Sequence, residues 1–130
     1  VTEGVNLYEA VGGMPFFERL VGDFYTGVAG DDVLAPLYPE APDFSGARRR
    51  LTLFLAQYWG GPGTYSEERG HPRLRMRHFP FPVGSLQRDR WLLHMTGAVE
   101  AHTRPGEVRD ALLRYFVSAA DEMVNTAGDG

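Results

Sequence analysis

The 130-residue chain contains no cysteine, which excludes disulfide staples, thiolate metal sites and thiol nucleophiles together. It also contains no lysine. Its thirteen basic residues are all arginine, set against seventeen acids, for a formal net charge of -4. That balance speaks against a nucleic-acid binder, which normally carries net positive charge on one face. No run approaches the about 18 apolar residues of a membrane span. The opening VTEGVNLYEA has no basic region followed by an apolar stretch, so no secretory signal is read there and a cytoplasmic protein is expected. Strand-like alternation, internal repeats and low-complexity tracts are missing as well. What remains is one domain of ordinary globular make-up, 43% hydrophobic and long enough to enclose a core.

The apolar residues recur at helical period, so an all-α fold is expected. In GGMPFFERLVGDFYTGVAG they fall at Phe16, Phe17, Leu20, Val21, Phe24, Tyr25 and Val28, a single stripe, with Pro15 suited to the first turn. Three prolines in DDVLAPLYPEAPDFSG prevent a long helix and predict a loop packed inward through Val33, Leu34, Leu37, Tyr38 and Phe44. A second helix follows with Ser45 as its N-cap and Gly60, Gly61 and Pro62 as its stop. Residues 62–70 read as irregular. Two further helices are predicted, one opening at Ser85 with Trp91, Met95, Ala98 and His102 on one stripe, the other placing Val108, Leu112, Tyr115, Phe116, Ala119 and Met123 together.

The stretch GHPRLRMRHFPF carries two of the four histidines. Pro72 can open a short helix through His78, and Pro80 ends it by forbidding the α conformation at Phe79. A histidine at a helix C-terminus is favoured by the macrodipole when protonated, so His78 alone has an ordinary structural explanation. Four bulky amphipathic aromatics, Tyr25, Tyr38, Tyr58 and Trp91, fall on inward faces, and converging buried O–H and N–H donors need acceptors, which backbone, water or a ligand can supply. His78, His94 and His102 could join an acid around a non-haem metal, but no established ligand spacing is present. The serines lack a nucleophile elbow, and the glycine pairs do not form a phosphate loop.

The segments AVGG, DFYTGVAGDDVLAPLYPE, FLAQYWGGPGTYSEERGHPRLRMRHFPF and RDRWLLHM, in that order, closely resemble the truncated haemoglobins of group II, the branch typified by the actinobacterial haemoglobin O. The likeness runs from about Leu7 to Asn125, and the stretch from Gln57 to Phe81 is its most specific part. It implies a globin domain over residues 7–126, with tails at 1–6 and 127–130, folded as a two-over-two helical sandwich around one haem b (iron protoporphyrin IX). By that resemblance His78 is the proximal iron ligand. Tyr25, Tyr38 and Trp91 match the distal donors, and Ala47 and Leu51 the distal lining. Arg50, Tyr58, Tyr65, His71 and Arg75 match the haem edge and propionate contacts, whereas Arg73 and Arg77 read as solvated charges.

Function by resemblance is high-affinity binding of dioxygen and other diatomic ligands, with O₂, nitric oxide or peroxide redox chemistry that would draw on an external, unidentified reductase. Enzyme status stays open between peroxidase-like and NO-dioxygenase-like activity, and a homo-oligomer is compatible. O–H and N–H donors in a low-dielectric pocket would each stabilise bound dioxygen by about 1–3 kcal/mol. Tight binding makes simple oxygen transport the less comfortable role. Two alternatives stand beside this: a haem-based gas or redox sensor acting through a partner protein, and a helical domain without haem.

Overall fold

Residues 6–73, 77 and 81–125 are described by the structure, a computed structural model. Its elements are α1 (Leu7–Ala10), α2 (Met14–Ala29), a 3-10 turn (Ala35–Leu37), α3 (Ser45–Tyr58), α4 (Thr64–Arg69), α5 (Ser85–His102) and α6 (Glu107–Met123). No strand occurs among the described residues, as the periodicity predicts. No helix among them is long and apolar enough to cross a membrane.

α2 is the central element, packed on α3 along one side and on α5 along another, while α6 packs on α5. It buries all seven residues of its predicted stripe, with Pro15 in its first turn where a missing N–H leaves nothing unpaired. Phe17, Leu20 and Phe24 from α2 are fully enclosed together with Met95 and Val99 of α5 and Leu112 and Phe116 of α6. Truncating a side chain of that size in a sealed core costs about 3–5 kcal/mol, so the aromatic stripe is the main reason these helices stay together.

Two local expectations are corrected. Ser45 is not an N-cap but the first residue of α3; Phe44 precedes the helix, and the Asp43 carboxylate accepts the Ser45 N–H at 2.9 Å. Aspartate accepts from backbone N–H groups at helix starts as readily as serine, and it stands two residues earlier. Residues 64–69 are helical rather than irregular. Gln57 holds that turn, its amide accepting from the Ser66 N–H at 2.9 Å and donating to the Ser66 hydroxyl at 2.8 Å, and Tyr65 is buried edge-on against Phe54. Six residues are too few to show a helical period, so this element owes its existence to partners outside itself.

The turn after α3 shows why glycine stands there. Gly60 has φ +106°, and a Cβ on it would lie 2.3 Å from the Asn6 side chain. Asn6 instead donates to the Gly60 carbonyl at 3.1 Å while capping α1 through the Glu9 N–H at 2.8 Å. The Tyr8 N–H reaches the Trp59 carbonyl at 3.0 Å, so α1 is docked onto the end of α3. A comparable tie closes the other end of the chain. Asn125 donates its backbone N–H to the Val83 carbonyl at 2.8 Å, accepts the Val83 N–H at 2.9 Å and donates its amide to the Phe81 carbonyl at 2.9 Å.

Candidate functional site

Between these helices lies a cavity of about 390 Å³ whose walls come from α2, the loop after it, and α3 to α6. Its size falls in the range of small-molecule and cofactor sites. Tyr25, Tyr38, Trp91, Ala47, Leu51, Arg50 and Tyr65, singled out from the sequence, all line it. They are brought together from four helices and a loop, although their numbers span more than half of the described chain. Leu34, Phe54, Leu55, Phe81, Val83 and Phe116 complete an apolar interior.

The polar aromatics form one cluster. Tyr25 meets Tyr38 edge-on at 5.5 Å between ring centroids, and both pack on Phe44. Phe24 bridges Tyr25 at 4.9 Å and Trp91 at 5.1 Å. Burial pushes the Tyr25 phenol far above its usual range, and the neighbouring Tyr38 phenol pushes it further. Burial raises Tyr38 as well, against a smaller opposing effect of its hydrogen bond with Tyr25. Both phenols therefore keep their protons throughout the physiological range, and the hydrogen bond between them occupies one of the two. The buried indole N–H without a partner among the described residues is that of Trp59, outside the lining, whereas Trp91 stands in the lining itself.

Where the cavity meets solvent, Arg50, Arg69, Arg77 and Arg88 stand in its lining. Arg50 pairs with Glu40 at 3.3 Å, and Arg88 with Asp89 at 3.1 Å and Asp121 at 3.3 Å. Arg77 departs from its reading as a solvated charge: its guanidinium donates to the carbonyls of Arg69, His71 and Pro72 and lies 5.9 Å from the centre of the Tyr65 ring. Arg69 and Arg88 carried no signal beyond their charge, because only the fold shows that they border the cavity.

Other sequence-singled residues lie elsewhere. Tyr58 is 53% exposed and is not in the lining; it stacks on Tyr115, which is, at 4.3 Å. His71 is exposed, outside the lining, and accepts the Arg73 N–H through Nδ1 at 3.2 Å. Arg75 and His78 lie outside the described residues. The two remaining histidines are engaged with aspartates, His94 with Asp31 at 2.7 Å and His102 with Asp23 at 2.6 Å. No cluster of three or more metal-ligating side chains occurs among the described residues.

Asp31 escaped the sequence reading because a second aspartate follows it and the pair resembles a solvated turn. Its side chain is 1% exposed, and its two oxygens accept four hydrogen bonds: Oδ1 from the Val33 and Leu34 N–H groups at 2.8 and 3.2 Å, Oδ2 from Arg90 at 3.0 Å and His94 at 2.7 Å. Burial alone would raise this carboxyl; the His94 and Arg90 side chains and the two backbone N–H groups outweigh it and hold the group well below the usual aspartate range. A carboxylate whose folded value lies below its unfolded one adds stability above about pH 4, and that stability drains as pH falls through the folded value. Urea midpoints measured from about pH 5 down to pH 2.5 are therefore expected to fall more steeply for the natural protein than for Asp31→Asn, which starts lower. Parallel slopes would contradict the assignment.

The bacterial-like globin family profile matches residues 6–125. Group 2 truncated hemoglobin YjbI of Bacillus subtilis (strain 168) is 41% identical over 118 residues, covering 91% of this chain and 87% of that protein. A thermostable hemoglobin from the actinobacterium Thermobifida fusca superposes with a TM-score of 0.91 at 56% identity, over 95% of this chain and 99% of that one. The truncated oxygen-avid haemoglobin of Bacillus subtilis superposes at 0.86 with 40% identity, over 93% of this chain and 100% of the other. Helix order, cavity and likeness agree, and the chain belongs to the bacterial-like globin family as a truncated haemoglobin of group II.

Proposed function

We propose that this protein binds dioxygen with high affinity in a haem-filled cavity, using Tyr25, Tyr38 and Trp91 as hydrogen-bond donors and His78 as the proximal ligand. The observation that carries the reading is the meeting of two protonated phenols and the Trp91 indole on the wall of a single apolar cavity. Globin membership implies haem, and the residues present fit it: an apolar interior suits the macrocycle, and four arginines at the solvent side suit its two carboxylates. Haem supplies, when bound, the iron to which a diatomic ligand attaches.

What supports His78 is its bracket: Arg77 before it and Phe81 after it both line the cavity. The chain's own part is then selective stabilisation. Tyr25 and Trp91 donate toward a ligand that carries partial negative charge, inside walls that exclude water and so strengthen each donation. Ala47 leaves the distal face without a bulky side chain at its position, and Leu51 keeps it dry. The same donors would polarise a bound peroxide, with electrons drawn from a reductase outside this chain.

Absorption spectroscopy of the recombinant protein titrated with haem tests the reading. A Soret band saturating at one haem per chain, with a ferrous protein that takes up dioxygen reversibly, is the expected outcome; no Soret band after haem addition would overturn it.

A further inference from the structure

We infer that Asp31 is a positioning residue for the dioxygen donors, a buried polar point at which the elements carrying Tyr25, Tyr38 and Trp91 are tied to one another; this rests on the distal reading proposed above. Tyr25 lies on α2, whose end leads directly into Asp31. The Val33 and Leu34 N–H groups bound to Oδ1 begin the loop that brings Leu34, Leu37 and Tyr38 to the cavity. Arg90 and His94, bound to Oδ2, flank Trp91 on α5, one residue before it and three after. One buried carboxylate thus bonds two of the three donor-bearing elements and continues the third.

The local sequence is built around this junction. Gly27 on α2 faces the His94 ring so closely that a Cβ would lie 2.4 Å from Nδ1, so the glycine gives the imidazole room to reach Asp31. All four partners of Asp31 present N–H groups. An ionised carboxylate accepts at both oxygens, and the His94 Nε2 accordingly carries its proton. Asparagine is nearly isosteric but has one accepting oxygen, so its amide group would meet donors with a donor at either the loop or α5. Asp31→Asn therefore loosens one half of the junction without touching the cavity wall, which Asp31 does not line.

The test compares haem-loaded natural protein, Asp31→Asn, and the control variants Tyr25→Phe and Trp91→Phe by stopped-flow dioxygen release and by the infrared stretch of bound carbon monoxide. Asp31→Asn is expected to release dioxygen about threefold faster or more, with the carbon monoxide band moving toward its position in the control variants. If the controls change both readouts while folded Asp31→Asn changes neither and is merely easier to denature, Asp31 is only a scaffold residue and the inference fails. If the controls change neither readout, the distal reading itself fails and the inference with it. His94→Phe, which keeps a ring and removes the donor, carries the same expectation and replaces Asp31→Asn should that variant not fold.

Discussion

Haem-loaded Trp91→Phe protein is expected to release dioxygen about tenfold faster, or more, than the natural protein, and Tyr25→Phe to do the same. The size follows from the surroundings. A donor in water exchanges one partner for another and gains little, but Tyr25 is 6% exposed and Trp91 borders a cavity with mainly apolar walls, where each donation counts for more. Each substitution keeps a ring and deletes a donor. Tyr25→Phe removes one oxygen from a packed cluster, whereas Trp91→Phe also leaves a gap against Phe24 and Phe116, which the indole meets at 5.1 and 5.8 Å. The natural controls for that gap are thermal stability and haem affinity, which should fall far less than ligand retention. Because Phe24 touches both rings, the double variant should fall short of the product of the two single effects. Stopped-flow displacement of dioxygen by carbon monoxide supplies the rates, and release unaffected by both substitutions would dispose of the donor account.

The other large effect is expected at His78. His78→Ala should lose the five-coordinate ferrous state and its proximal iron–histidine vibration, and should hold haem much more weakly, since the cavity's apolar walls would be left to retain the group without an axial bond. Imidazole added to the variant should restore the ferrous spectrum, because the missing ring can occupy the space its deletion creates. The three other histidines cannot substitute from where they stand: His94 and His102 are bound to Asp31 and Asp23, and His71 lies outside the cavity lining. A resonance Raman spectrum showing the natural iron–histidine band in His78→Ala would assign the ligand elsewhere.

Much of this arrangement was legible because aromatic and apolar spacing reports directly on burial. The α2 stripe from Phe16 to Val28 is buried as its period predicts, and Tyr25, Tyr38, Trp91, Ala47 and Leu51 come to one cavity. The residues that were illegible depend on contacts distant in the chain. Asp31 meets Arg90 and His94 about 60 positions away, and nothing local distinguishes it from Asp32. α4 needs Gln57 and Phe54 from the preceding helix. Arg77 looked like a surface charge beside Arg73, and only the path of the chain around Pro72 turns three carbonyls toward it. Period reveals faces; it does not reveal which polar side chain will be enclosed, since that depends on what arrives from elsewhere.

The tie between Asn125 and the segment at Phe81 and Val83 also sets an order in time. Phe81 must wait for a residue 44 positions later before its carbonyl is bonded by that amide. At a synthesis rate of about 5–20 residues per second, Phe81 waits several seconds after it is made for that partner. α2, α3 and the loop between them can meet well before then. The segment at Phe81 and Val83 is thus latched only once the chain beyond the last helix is complete, when the earlier helices can already have packed.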